Sequence, residues 1–397
     1  MLARSLIILL CCWLTTGVVA RNPLLRYRAG FKVSDTEFVD TIRVEWEHHQ
    51  LYVPVHTGDR TLRFLLDTGA GMSVVYDDQP IEGCKTVGMM PTRDALGHND
   101  TVPVVVLPAL QIGKVVLNGC KATMQRRSVR QPGVDGILGF DLFAGGITAK
   151  IDVRNRQLVI TNRRGYFDDE ESFDVKYRLR YHTPYLPLSP FGKYSEEACF
   201  DTGSRTVYMM NRQSLSKGEK QCSQQTIDRL VEGRCMGRHA MGHSGTEKRG
   251  EVVFLHLQQL RLGRLTLGGV HALTTQGNSH IGAALLQHAA VIIDPHRHKL
   301  CFQPYEEGDI CFVNNQTVEI AFVTERGRPT VGLVWPQGIP YRQGFREGDV
   351  ITHIDGVPVL SLTQFYQYPF MSGREHVFTV TDSHGISRDI RWVRTQN

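Results

Sequence analysis

The stretch Phe64-Leu65-Leu66-Asp67-Thr68-Gly69-Ala70 decides the fold, because it returns as Ala198-Cys199-Phe200-Asp201-Thr202-Gly203-Ser204. A single Asp-Thr-Gly is an ordinary turn signal, since Asp and Gly are favoured turn residues. Two copies, each after an apolar strand, are different. Each copy is preceded by an apolar run with proline, Leu51-Tyr52-Val53-Pro54-Val55 and Tyr185-Leu186-Pro187-Leu188. Each is followed by Ala95-Leu96-Gly97-His98 and Leu110-Gln111-Ile112-Gly113-Lys114-Val115, matched by Ala240-Met241-Gly242-His243 and Leu260-Arg261-Leu262-Gly263-Arg264-Leu265. Each closes on an apolar-apolar-Gly segment, Ile137-Leu138-Gly139 or the poorer His280-Ile281-Gly282, and then on Ile151-Asp152 or Ile293-Asp294. Four signposts in one order define an internal repeat of about 130 residues.

Val, Ile, Thr and aromatic residues crowd into short runs between turn residues, so the fold reads as mainly β. At 397 residues the chain has room for two or three domains. Its net charge of +5, scattered along the chain, argues against a nucleic-acid partner. Residues 1–20 have the build of a signal peptide, with Arg4 as basic flank, an apolar run from Leu6 to Leu14 and small residues up to Ala20. This reading implies export, periplasmic or extracellular, with an uncleaved membrane anchor as the alternative. Seven cysteines remain beyond that segment, and Cys84 with Cys120 or Cys222 with Cys235 are plausible local disulfides. No pair has C-x-x-C spacing, and neither His48-His49 nor His296-Arg297-His298 has metal-ligand partners in a recognisable spacing. No metal or cofactor is therefore expected. The charged tract from about Thr161 to Arg180 reads as a solvated linker or surface strand.

Two carboxylates close enough to share a proton cannot both ionise, so one can serve as base and the other as acid. Asp67 and Asp201 are the candidates. Thr68 and Thr202 can donate hydrogen bonds across the pair, Gly69 and Gly203 permit the tight turn, and Ser204 and the Ala70 backbone can hold the outer oxygens. On these motifs the chain, over roughly residues 40–305, resembles the aspartic peptidases of the retropepsin and pepsin clan. The resemblance implies two pseudo-symmetric retropepsin-like β-barrel lobes with a cleft between them, residues 21–165 and 166–308. It also implies peptide or protein as substrate, a monomer sufficient for catalysis, and glycine-tipped flaps at Gly97 and Gly242. Residues 309–397 resemble a PDZ domain, a small β/α unit, through Gly344-Phe345-Arg346-Glu347-Gly348-Asp349-Val350-Ile351 and Ile354-Asp355-Gly356-Val357-Pro358-Val359. That resemblance implies capture of a C-terminal peptide, with Val331-Gly332-Leu333-Val334 as the carboxylate loop. Two functions from different classes follow: an active endopeptidase, or a peptidase scaffold that has lost turnover and holds peptides or a partner. A serine triad is disfavoured, because Gly277-Asn278-Ser279-His280 lacks the following glycines.

Overall fold

The repeat becomes two matching arrays of strands in the structure, a computed structural model that describes residues 30–34, 36–127, 133–243, 245–308, 310–371 and 373–393. The signal-peptide reading of residues 1–20 lies outside these residues. The chain is mainly β. In the first lobe, Gln50–Thr57 pairs antiparallel with Arg60–Leu66, which runs parallel to Gly136–Leu138. In the second, Thr183–Phe191 pairs antiparallel with Tyr194–Asp201, which runs parallel to His280–Gly282. The signposts Gly113 and Gly263 sit at equivalent hairpin turns, both with φ of 61°. A residue with a Cβ is disfavoured in that left-handed conformation, which is why both copies carry glycine.

A six-stranded sheet binds the lobes together. It runs Phe173–Lys176, Lys299–Pro304, Ala289–Asp294, Thr148–Asp152, Gln157–Thr161, Val39–Arg43, taking strands from both halves of the repeat. At its centre Ala149 pairs with Ile293 and Ile151 with Val291, all four side chains fully buried. Burying each of Ile151, Val291 and Ile293 contributes about 1.5–3 kcal/mol. Ile151→Ala would leave a cavity between the lobes, costing about 2–5 kcal/mol. The charged tract ends in this sheet: Phe173–Lys176 is its edge strand, and Asp174 meets the Lys299 ammonium at 2.8 Å.

The C-terminal unit has its own sheet, in the order Ile320–Glu325, Arg328–Val334, Val350–Ile354, Glu375–Thr381, Ser387–Val393. Phe322, Phe345, Phe365, Phe378 and Trp392 fill its core. The expected short helix runs Leu362–Gln367; the Ser361 hydroxyl caps it by accepting the Gln364 amide, and Pro369 forbids the helical conformation at Tyr368. This unit docks on the second lobe through Leu333, which packs with Val252, Phe254 and Leu273, and through Trp335, stacked on Phe254 at 5.2 Å.

Two sequence expectations are corrected here. Val331-Gly332-Leu333-Val334 is not a loop but the buried end of the Arg328–Val334 strand. Its backbone is already engaged, since Val331 N–H donates to Asp349 and Gly332 C=O accepts from Arg238 of the second lobe at 2.8 Å. All seven cysteines are free thiols, so neither local disulfide forms. Cys222 packs against the main core while Cys235 joins the apolar cluster under the C-terminal unit.

Candidate active site

Each apolar strand ends by delivering an aspartate to the junction of the lobes, and the residue after it locks the junction. Thr68 Oγ1 donates to the Phe200 carbonyl at 2.6 Å and accepts the Thr202 amide at 3.0 Å. Reciprocally, Thr202 Oγ1 donates to the Leu66 carbonyl at 2.7 Å and accepts the Thr68 amide at 3.0 Å. Both threonines are completely buried, so all four bonds are shielded from water. The glycines are demanded by the opposite lobe. A Cβ on Gly69 would lie 2.5 Å from the Asp201 carboxyl, and one on Gly203 would lie 2.5 Å from that of Asp67. The sequence pair Asp-Thr-Gly is thus one contact surface written twice.

The carboxylates themselves touch. Asp67 Oδ1 accepts the amides of Gly69 at 2.8 Å and Ala70 at 3.1 Å; Asp201 Oδ1 accepts that of Gly203 at 3.0 Å. Burial pushes Asp67 well above the usual carboxylate range, and the adjacent Asp201 charge and hydrogen bond add to it. Burial raises Asp201 too, against the hydrogen bond from Asp67 and the amides of Gly203 and Ser204. The two shifts agree in direction and describe a single proton held between two groups. Such a pair titrates as a unit. Both residues remain partly exposed to solvent.

Beneath the dyad the apolar-apolar-Gly segments thread close to the turns. A Cβ on Gly139 would fall 2.8 Å from the Ala70 carbonyl oxygen, and one on Gly282 would fall 2.8 Å from that of Ser204. The next amides, of Phe140 and Ala283, donate to those same carbonyls at 2.7 and 2.8 Å. The poorer match His280-Ile281-Gly282 therefore occupies the same place as Ile137-Leu138-Gly139.

The surroundings differ. In the first lobe Ser73 Oγ accepts the Gly139 amide at 3.1 Å and donates to the buried Asp141 carboxyl at 2.9 Å. Burial pushes Asp141 up to about 6, against the Ser73 hydrogen bonds. Sequence reasoning missed both residues; the available signal was an acid two positions after the glycine, inside an apolar run. In the second lobe the Gly282 amide bonds the Val207 carbonyl at 3.0 Å instead. There the Ser204 hydroxyl does not bind Asp201 but meets Thr206 Oγ1 and His280 Nε2, each at 3.0 Å. The His280 Nδ1–H donates to the Asn278 carbonyl, so Nε2 accepts from Ser204. Burial keeps that ring neutral by lowering its pKa.

Gly97 lies in the turn of the hairpin Lys85–Arg93 and Asn99–Val106, at φ of 90°. Asp94 Oδ1 accepts the amides of Leu96 and His98 and organises that turn. Gly242 lies in a much smaller hairpin, Met241–Gly242 with Gly245–Thr246. The two tips meet: a Cβ on Gly242 would be 2.4 Å from Asp94 Oδ2.

Residues 53–142 match the family described as aspartyl protease. Aspartic proteinase from Irpex lacteus is similar in structure, with a TM-score of 0.45 and 12% identity over 67% of this chain and 97% of that one. Basic 7S globulin from soybean gives a TM-score of 0.41 and 9% identity over 67% and 95%. No curated protein matches the sequence. The family match encloses Asp67 and the Ile137-Leu138-Gly139 segment; Asp201 lies beyond it.

Proposed function

We propose that the protein is an aspartic-type endopeptidase, in which Asp67 and Asp201 activate one water against a peptide carbonyl. The supporting observation is the proton-sharing contact of two carboxylates across a reciprocally locked junction. In this reading the ionised member of the pair removes a proton from water while the protonated member gives its proton to the carbonyl oxygen. The tetrahedral species then collapses as a proton passes to the amide nitrogen. Both catalytic groups come from one chain, so a monomer suffices, and no metal or cofactor takes part in the step.

Export, by the N-terminal segment, places the enzyme outside the cytoplasm in this proposal. The C-terminal unit serves as a PDZ-like peptide or partner module. With Val331–Val334 already engaged, the place for an added strand is Ile320–Glu325, which ends the sheet and pairs with Arg328–Val334 alone among the described strands.

The test is digestion of a mixed peptide library across acidic to neutral pH by the full chain and by Asp67→Asn and Asp201→Asn. Either substitution should lower kcat/KM by on the order of a thousandfold, and the double variant should be no worse than either single one. Cleavage that survives one substitution would sink the shared dyad. An intact protein that cleaves nothing yet binds library peptides would establish the binding reading in its place.

A further inference from the structure

Three neighbouring strands of the second lobe bring together side chains that the dyad does not use. His256 on Gly250–Leu262 and His271 on Leu265–Thr275 are direct cross-strand partners. Strand alternation turns both away from the core, since Leu255, Leu257 and Val270 on either side are buried. Their imidazoles stack with centroids 4.3 Å apart and planes 5° from parallel. Glu232 sits on Val231–Gly237, where the register shifts between Val231 and Gly233. Such a bulge re-aims a side chain, and here the carboxylate reaches His271 Nδ1 at 3.0 Å.

One potential ligand atom from each of Glu232, His256 and His271 lies within 4.8 Å of the other two. We propose that these residues bind one divalent transition-metal ion of the zinc class and so fasten the segment leading into the C-terminal unit. Two imidazoles and a carboxylate suit zinc, nickel or copper rather than calcium or magnesium. Tetrahedral bonds of about 2.0–2.1 Å set ligand atoms about 3.3 Å apart and place the ion in the plane of each imidazole, so closure requires the two stacked rings to turn out of parallel about their side-chain torsions. The ion would replace the proton between His271 and Glu232, leaving a position for water.

The groups behind the ligands belong to the connecting segment. Thr317 Oγ1 donates to Glu232 Oε2 at 3.3 Å, and its 2.8 Å contact with His271 Nδ1 is one the ion would displace. Asn315 grips the His271 backbone on both sides, accepting its amide at 3.0 Å and donating to its carbonyl at 2.8 Å. Outer contacts of this kind hold ligands in place. They also mean that an ion bound here would stiffen residues 313–317 against the lobe. The three side chains are partly exposed, so an ion can enter.

The experiment is calorimetric titration of the chelator-dialysed full chain with ZnCl2, with Co2+ absorption as a second readout. One equivalent should bind, with a rise in thermal midpoint, and His256→Gln or His271→Gln should each weaken binding at least tenfold and abolish the rise. Asp67→Asn should bind zinc as the unaltered chain does, which separates this site from the peptidase reading. Circular dichroism of each variant distinguishes a lost ligand from a lost fold, and the partly exposed His256 is the substitution least able to disturb folding. Absence of saturable one-to-one binding, or binding unchanged in both histidine variants, would overturn the proposal.

Discussion

Around Asp67 the first lobe places a hydroxyl and an acid, Ser73 and Asp141, under the glycine that supports the dyad. Around Asp201 the second lobe has Val207 and Ala284 at the corresponding positions, with a backbone carbonyl taking over the hydrogen bond. Yet the threonine bonds and the glycine contacts are the same in both halves to within a tenth of an ångström or so. The comparison separates what the junction requires from what each lobe solves in its own way. Groups that cross between lobes must match, because each is the other's partner; groups that only support one turn are free to diverge.

The threonines give the largest effect by which that separation can be broken. Thr68→Val and Thr202→Val each delete a donor and an acceptor, stranding a buried amide in the opposite lobe and a carbonyl at its strand end. Each should cost about 3–4 kcal/mol, the sum of lost bonds and unsatisfied groups. Equivalence makes the stronger claim: urea midpoints of the two variants should fall equally. A large difference between them would show that the junction is not symmetric in energy.

Asp141 tests the asymmetric part. Its carboxyl is 3.8 in the unfolded reference and about 6 when folded, so the folded state binds the proton more tightly. The stabilisation is therefore complete below about pH 4 and is lost as pH rises through about 6, by up to about 3 kcal/mol. Asp141→Asn keeps the shape and an acceptor for Ser73 while removing the titration. Denaturant midpoints from pH 4 to 8 should slope downward less in this variant, the dyad's own raised pKa supplying the remaining slope in the same direction. Identical slopes would show that Asp141 does not carry the proton.

The same division explains what could be read from the sequence. Asp67, Asp201 and their Thr-Gly partners were legible because a contact between copies has to be written twice, and repetition is visible in a string of residues. The matched glycines Gly113 and Gly263 were legible for a related reason, a shared positive φ. Ser73 and Asp141 were not, since they occur once and look like a turn serine and a helix-start acid. Val331–Val334 was misread for a physical reason too: a glycine in an apolar run marks either a loop or a close approach. Here a Cβ at Gly332 would lie 2.4 Å from the Arg238 carbonyl oxygen, so the glycine admits the neighbouring lobe. The histidine and glutamate cluster was invisible because its members come from three strands, brought together only by register and a bulge.

The hairpin tips sharpen the comparison with the smallest effect. The second-lobe loop is held by the buried Glu247, whose carboxylate accepts the amides of His239 and Ala240 and, from the other side, the Thr275 hydroxyl and Gln276 amide. Met241 also packs against the C-terminal core, so this tip has few ways to yield. The first-lobe tip is organised by its own turn around Asp94 and abuts the second lobe, where a Cβ at Gly277 would lie 2.8 Å from the Ala95 carbonyl oxygen; a Cβ at Gly97 would meet nothing closer than the flexible Arg93 guanidinium at 3.0 Å. Gly97→Ala should therefore cost about 1 kcal/mol, mainly from the positive φ. Gly242→Ala drives a Cβ onto the Asp94 carboxylate against a fixed support, which must push the first-lobe tip instead. Under the peptidase reading it should raise KM more than Gly97→Ala does, with thermal stability changed by no more than 1–2 kcal/mol. If Gly97→Ala proved the more damaging for KM, the fixed partner would be the first-lobe hairpin, and the second-lobe loop would be the element that moves.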